Sequence, residues 1–299
     1  MAASDAPRVA IIDYGVGNLR SVEKAFAAMN CEAVVSDDER VLLAAERLVL
    51  PGVGAFAACM NALKERGFDE LVRERVSEGA PLLGVCVGMQ MLFEESEEFG
   101  RSEGLGFLRG RVRRFTNELL VPQVGWNEVR KASVHPLLAN INDKTFFYFV
   151  HSYYCDAADA QDVIGETEYG VPYASIVARE NICGVQFHPE KSQTAGLQLL
   201  KNFAECDVRV LRQQYACPCC GYITLSEKPP GTYEICSICF WEDDAVQFNS
   251  PDNEGGANKV SLRQAQRNYV DFGASERRVL PYVRKPSEMD RRNSNWKPL

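Results

Sequence analysis

Residues 81–94 read PLLGVCVGMQMLFE, and this stretch decides the fold of the first two hundred residues. A short apolar run, Leu82–Val85, leads directly into Gly84-Val85-Cys86-Val87-Gly88 and then into a pattern expected to be helical. A nucleophile between glycines at a strand-to-helix junction fits a sharp elbow, in which the turn forces the side chain outward. Glycines flank it because the turn is crowded and a Cβ there would clash. A helix starting at Cys86 would bring N-terminal amides near the sulfur and favour the thiolate. The competing reading is a buried structural cysteine, since unpaired Cys is among the most buried residue types.

Outward from the elbow, β-branched runs alternate with helical patterns. Val9–Asp13, Glu32–Val35 and Arg47–Leu50 read as strands, Ser21–Met29 as a helix, and Ala57–Val76 as one amphipathic helix. Strands separated by helices of this length indicate βαβ units and a mainly parallel sheet flanked by helices. After Val121 the chain is richer in strands, Phe146–Val150 and Ile182–Phe187 among them, and a helix at Thr194–Glu205 closes the domain.

A thiolate nucleophile needs a base, and the chain has only three histidines. His135 precedes a proline without an acid nearby, and His151 follows the apolar FFYFV run. His188 lies in Val185-Gln186-Phe187-His188-Pro189-Glu190, at the end of a strand and two residues from a carboxylate. Pro189 stiffens the turn so that Glu190 can orient the imidazole, which extends triad logic to Cys–His–Glu. Pro51-Gly52-Val53-Gly54 ends the RLVL strand with glycines able to present backbone N–H groups to an oxyanion. Gly15-Val16-Gly17-Asn18 resembles a dinucleotide loop, but Arg20 stands where the third glycine belongs, which rejects a nicotinamide site.

Together IIDYGVGNLRSV, LPGVGAF, GVCVGMQMLFEESEE, VGWNEV, YFVHSYY and CGVQFHPEKSQTAGLQLLKNF resemble the class I glutamine amidotransferases. More narrowly, residues 8–206 are similar to the glutaminase subunits of imidazole glycerol phosphate synthase (HisH type). The resemblance implies a flavodoxin-like α/β fold and no cofactor for catalysis. It implies Cys86, His188 and Glu190 as the triad, with Gly52, Val53 and Val87 as oxyanion donors. The Gly52–Val53 peptide is one that reorients in this family. Gln90, Glu98, His151, Ser152 and Tyr153 are implied as the glutamine pocket. Trp126, Asn127, Tyr148 and Lys191 are implied at the mouth of an ammonia passage, facing a cyclase partner with a (βα)8 barrel in a heterodimer. There ammonia adds to a phosphoribulosyl formimino-aminoimidazole carboxamide ribotide, giving imidazole glycerol phosphate and aminoimidazole carboxamide ribotide. Such a barrel needs about 250 residues, and the chain has too few left after 206, so the acceptor reaction is expected in trans. One departure stands out: Gln123 occupies a position where the family commonly has histidine, which bears on coupling to the partner rather than on glutamine hydrolysis. A related glutaminase serving another acceptor, or a non-catalytic interaction protein, are the alternative readings.

The second domain, expected over 207–299, opens with the cysteine-rich stretch YACPCCGYITLSEKPPGTYEICSICFWEDD, residues 215–244. Cys217, Cys220, Cys236 and Cys239 have the C-x2-C-x15-C-x2-C spacing of a four-thiolate zinc site on two knuckles. Pro stiffens the first loop and Gly221 supplies positive φ. Strands at Tyr222–Leu225 and Thr232–Ile235 and a helix at Ser261–Phe272 are expected. The alternatives are a redox pair, a disulfide clip or unligated structural cysteines, and Cys219 either replaces or complements Cys217. The segment resembles the small bacterial CPCC cysteine-rich domain, a cysteine-rich α+β unit. Arg277–Leu299, with seven basic and two acidic residues, reads as a solvated flexible tail.

Composition limits the remaining classes. Residues 1–206 carry 29 acidic and 20 basic side chains, a net of −9, and residues 207–299 carry 12 and 13, a net of +1. Neither half has the basic patch that a phosphate backbone needs, so nucleic acid is not an expected partner. No apolar run approaches the ~20 residues of a membrane span and no signal peptide is read at the N-terminus, so a cytoplasmic protein is expected; glutamine as its small-molecule partner is what the resemblance implies. Eleven cysteines in such a compartment argue for metal or catalysis rather than disulfides.

Overall fold

The computed structural model describes residues 8–115, 119–208, 215–286 and 290–299. The chain divides into two compact units, residues 1–210 and 211–299. The expected boundary after Cys206 runs into residues 209–214, which lie outside the described residues.

The first unit is built on one sheet. Five strands run parallel in the order Ala33–Ser36, Val9–Ile12, Arg47–Gly52, Leu82–Cys86, Ile182–Val185. Every residue of Val9–Ile12, Leu82–Cys86 and Ile182–Val185 is buried, as apolar runs in a sheet covered on both faces should be. The sheet then continues antiparallel through Pro172–Arg179, Tyr153–Ala157 and Leu108–Arg114. A branch through Val163–Glu168 carries a hairpin of Gln123–Lys131 and Thr145–His151. The parallel α/β core is therefore as expected, and the strand-rich part after Val121 is an antiparallel extension of the same sheet. Helices Leu19–Ala27 and Gln193–Glu205 pack against one another.

Two helical expectations change. Ala57–Val76 is two helices, Phe56–Glu65 and Phe68–Ser77, because Gly67 between them adopts φ +71°. The helix after Cys86 is a single turn, Val87–Gln90, and the chain re-enters the sheet at Phe93–Ser96. No helix among the described residues is long and apolar enough to cross a membrane.

What positions the elbow is contact between backbones. A Cβ on Gly88 would lie 1.9 Å from the Leu50 carbonyl oxygen, and one on Gly84 2.6 Å from the Gly88 oxygen. A Cβ on Gly52 would meet the Gly88 nitrogen at 2.6 Å. Cys86 itself takes φ 56°, ψ −112°, outside the wells open to L-residues, at a cost on the order of 1–3 kcal/mol.

In the second unit, Tyr215–Ala216 pairs antiparallel with Ile223–Leu225. Residues 232–235 do not form the expected strand. The segment pairs irregularly with residues 241–243: Tyr233 N–H donates to the Asp243 carbonyl, Asp243 N–H to that of Glu234 and Cys236 N–H to that of Trp241, while the Thr232 amide is taken by the Asp243 carboxylate and the Glu234 carboxylate accepts from the amides of Ser226 and Glu227. One bridge remains, Ile235 to Glu242. The helix is Leu262–Phe272, with Ser261 capping it. The chain end is pinned rather than free: Ile223 donates to the Arg291 carbonyl, Asn293 to Gly221, and the Trp296 indole to the Pro218 carbonyl at 3.1 Å. The Arg292 guanidinium stacks on Tyr222, Tyr269 and Trp296.

Gly88→Ala is expected to cost about 3 kcal/mol or more, because its neighbours are backbone atoms that cannot swing aside. Gly67→Ala, with no heavy atom within 4 Å of the new Cβ, should cost only roughly 1 kcal/mol for the left-handed backbone. Thermal or denaturant unfolding of the two variants checks the ranking.

Candidate active site

Cys86, Val87 and Gln90 from the elbow, Val53 from the Pro51–Gly54 loop, and His188 line a cavity of about 340 Å³. His188 follows the Ile182–Val185 strand by three residues and is buried, as is Cys86. The imidazole and the Cys86 thiol line this cavity together, near enough for the sulfur to favour the protonated ring. On its other side, His188 Nδ1 lies 2.9 Å from Glu190 Oε1. Glu190 is carried by the short 3₁₀ turn Pro189–Lys191, and its side chain is almost completely buried. The turn is tied to the sheet: His188 N–H donates to the Tyr148 carbonyl, Tyr148 N–H to Ser192 Oγ, and that hydroxyl to the His188 carbonyl.

Burial alone would lower the His188 pKa, but hydrogen bonds to Cys86 and Glu190 outweigh it, and the imidazole is pushed up to about 10. The sign follows from linkage. A histidine raised above its unfolded value of about 6.5 adds stability below that value and loses it as pH rises towards 10. His151 goes the other way: burial pulls it down to about 4, against the hydrogen bond to the Tyr153 carbonyl and helped by the charge of His188. Its contribution to stability is present above about 6.5 and is lost as pH falls towards 4.

The remaining candidates fall into place unevenly. Glu98, His151, Ser152 and Tyr153 line the same cavity. The Glu98 carboxylate accepts from Phe56 N–H at 2.6 Å, so it also caps the helix after the Pro51–Gly54 loop. Gln90 Nε2 donates to the Tyr153 carbonyl and to Gln186 Oε1, which turns its amide nitrogen into the protein. Trp126 and Tyr148 are cross-strand partners with rings 5.9 Å apart, and the Lys191 ammonium lies 6.0 Å from the Tyr148 ring. Asn127 points to the opposite face of its strand, accepting from Gln123 Nε2 at 2.8 Å. His135 is structural, its Nδ1 accepting from Leu137 N–H to cap a 3₁₀ turn.

Two residues beyond the sequence candidates belong here. Gln186 Nε2 points at Cys86 Sγ at 4.0 Å, completing a line from Gln90 to the thiol. Its signal in the sequence is VQFH, a polar side chain two residues before His188; both residues lie just beyond the strand Ile182–Val185. Tyr173 places its hydroxyl between Gln123 Oε1 at 3.0 Å and His151 Nε2 at 3.3 Å. No local motif marks it. A separate, wider groove of about 670 Å³ around Glu94, Glu103 and Arg111 shares no residue with this cavity.

In the second unit, Cys217, Cys220, Cys236 and Cys239 are buried with all four sulfurs within 4.8 Å of one another. The two knuckles repeat one pattern: the Cys217 carbonyl accepts from Gly221 N–H, and the Cys236 carbonyl from Phe240 N–H. Gly221 and Phe240 both have positive φ. The 3.6 Å Cys217–Cys239 and Cys220–Cys236 separations far exceed the ~2.05 Å of a disulfide. They match the ~3.8 Å edge of a tetrahedron with Zn–S bonds of about 2.3 Å, so the donor set fits a divalent metal. Burial pushes the Cys219 thiol up, and its sulfur is not among the four that cluster.

Residues 10–206 match the family model "Glutamine amidotransferase class-I", and residues 215–290 match "Cysteine-rich CPCC". The chain belongs to the class-I glutamine amidotransferase family and is an enzyme of that class, with a CPCC-type cysteine-rich region attached. Its relatives narrow the grouping. It is 50% identical over 201 residues to imidazole glycerol phosphate synthase subunit HisH of Salinibacter ruber, covering 65% of this chain and 92% of the relative. The subunit of the same name from Chlorobaculum tepidum is 48% identical over 199 residues, covering 66% and 99%. Among solved structures, a glutamine amidotransferase crystal structure (TM-score 0.54, 22% identity, covering 66% of this chain and 97% of that one) shares the fold. So does PurLQS from Thermotoga maritima (TM-score 0.55, 18% identity, covering 66% and 97%).

With three histidines in the chain, imidazole ¹⁵N spectra can follow each one. At pH 7.5 His188 is expected to be protonated and His151 neutral, and Glu190→Gln should move the His188 midpoint down towards the ordinary value. A His188 that titrates near 6.5 in the unaltered protein would contradict the electrostatics described.

Proposed function

We propose that this chain hydrolyses the side-chain amide of glutamine and passes the ammonia to a (βα)8 cyclase partner in histidine biosynthesis. The observation that carries the reading is the meeting, in one small cavity, of Cys86 in a strained elbow and His188, with Glu190 at 2.9 Å behind the imidazole. The elbow exposes the sulfur to the cavity, and the raised His188 keeps a proton available beside it.

The steps follow from these positions. The Cys86 thiolate attacks the amide carbon, forming a C–S bond, and the Val53 and Val87 N–H groups take the charge on oxygen, Gly52 allowing the close backbone approach. The His188 imidazolium gives its proton to the departing nitrogen, and ammonia leaves a glutamyl thioester. Neutral His188 then takes a proton from water, which attacks the thioester, breaks the C–S bond and releases glutamate. Glu190 holds the ring and stabilises its charged form. Gln90, Glu98, His151, Ser152 and Tyr153 bound the glutamine. Trp126, Tyr148 and Lys191 face the partner, and Asn127 acts from the inner side of the hairpin through Gln123. Ring closure on the ribotide, a lyase-type step, is the partner's.

The second unit holds a structural zinc on Cys217, Cys220, Cys236 and Cys239. Five of the nine residues in its buried cluster are cysteines, so little aliphatic surface supports the fold and a metal would supply what the core lacks.

Cys86→Ala is expected to remove glutamine-dependent ammonia production by a factor on the order of 10³ or more, while ammonia-dependent synthesis by the partner complex persists. The chain without its partner should show little glutaminase activity. Strong activity alone would count against the coupling. Purified protein should contain one zinc per chain and Cys236→Ser much less; wild type free of metal would sink the zinc reading.

A further inference from the structure

The Pro51–Gly54 segment, whose Val53 lines the cavity, is held by two side chains the triad does not use. Tyr14, buried at the end of the Val9–Ile12 strand, donates its hydroxyl to the Pro51 carbonyl at 2.5 Å. Cys59, fully buried on the helix Phe56–Glu65, donates its thiol to the Val53 carbonyl at 3.4 Å. Both bonds draw carbonyls into the core, one on each side of the Gly52–Val53 peptide.

A peptide unit is planar, so the direction of its N–H is set by rotation of that plane about its two Cα atoms. Fixing the carbonyls before and after it leaves this plane as the loop's main variable and restricts its range. Gly52 widens what is sterically open to the plane, which makes external restraint necessary. Burial raises both the tyrosine and the thiol, so each keeps the proton it donates.

We propose that Tyr14 and Cys59 are positioning residues that aim the Val53 N–H at the oxygen of the reacting amide. The proposal rests on the reading of Cys86 as the nucleophile. Neither side chain lines the cavity, so both act through the loop.

The test measures glutamine hydrolysis by the complex with the cyclase subunit for Tyr14→Phe, Cys59→Ala, Cys59→Ser and Cys86→Ala. In parallel, mass spectrometry follows alkylation of Cys86 by iodoacetamide, a displacement at saturated carbon that forms no oxyanion. Losing an oxyanion donor outright costs on the order of 10²–10³ in kcat, and misdirecting one should cost about tenfold. The expected result is that fall for Tyr14→Phe and Cys59→Ala with KM changed less than about twofold and the alkylation rate unchanged. Cys59→Ser, which keeps a donor, should recover most of kcat. Wild-type kcat in both Tyr14→Phe and Cys59→Ala overturns the proposal. So does a fall in kcat matched by a fall in Cys86 alkylation, which marks a general distortion of the elbow. Cys86→Ala separates the two levels: if it retains glutaminase activity, the reading of the site fails, whereas an inactive Cys86→Ala with unaffected Tyr14→Phe and Cys59→Ala refutes only the positioning.

Discussion

The close approach of three backbones at Gly52, Gly84 and Gly88 is the constraint on which the rest of this enzyme depends. No side chain larger than hydrogen fits where the elbow crosses the end of the Arg47–Gly52 strand. That contact holds Cys86 in a conformation it would not choose. The same crossing puts the Val53 loop beside the elbow, and the neighbouring strand Ile182–Val185 delivers His188 to the same edge. Strain at one residue is thus offset by packing spread over three strands, a usual arrangement where a side chain must be presented rather than buried.

The hairpin Gln123–Lys131 and Thr145–His151 separates two tasks by the twofold period of a strand. Val124, Trp126 and Phe146 are exposed on one face, while Gln123, Phe147 and Phe149 are buried on the other. Tyr148 joins the two sides through its backbone, which exchanges hydrogen bonds with His188 and Ser192. On the inner face a line of polar groups runs from Asn127 through Gln123 and Tyr173 to His151. Gln123 can make this line because its amide both donates and accepts without changing charge.

Much of this was readable in the sequence, for physical reasons. The elbow is legible because few residue types tolerate its geometry, and His188-Pro189-Glu190 is legible because orienter and base are two residues apart. The parallel strands announce themselves as continuous apolar runs. Tyr173 carries no local signal because it meets Gln123 and His151 only through strand pairing distant in sequence, whereas Gln186 is a polar residue beside His188 whose partners Cys86 and Gln90 come from another strand and turn. The break at Gly67 was missed because apolar spacing continues across it. In the second unit the cysteine spacing predicts the knuckles, but residues 232–236 pair only irregularly with 241–243, mixing backbone bonds with bonds from the Asp243 and Glu234 side chains. The basic tail reads as a solvated end because its charges show no local pattern, whereas Arg292 and Trp296 bond to the carbonyls of Cys220 and Pro218 in the first knuckle.

Two sets of sulfur chemistry therefore coexist in one chain: a single thiol beside an imidazole in the first unit, and four clustered thiols in the second. The central claim concerns the first, and a covalent intermediate tests it most directly. The complex, mixed with glutamine and quenched in acid within its first turnover, should yield a peptide containing Cys86 that carries one glutamyl group as a thioester. That adduct should be absent from every other cysteine. A first turnover that releases ammonia with Cys86 unmodified, or with the glutamyl group on a different residue, would contradict the account.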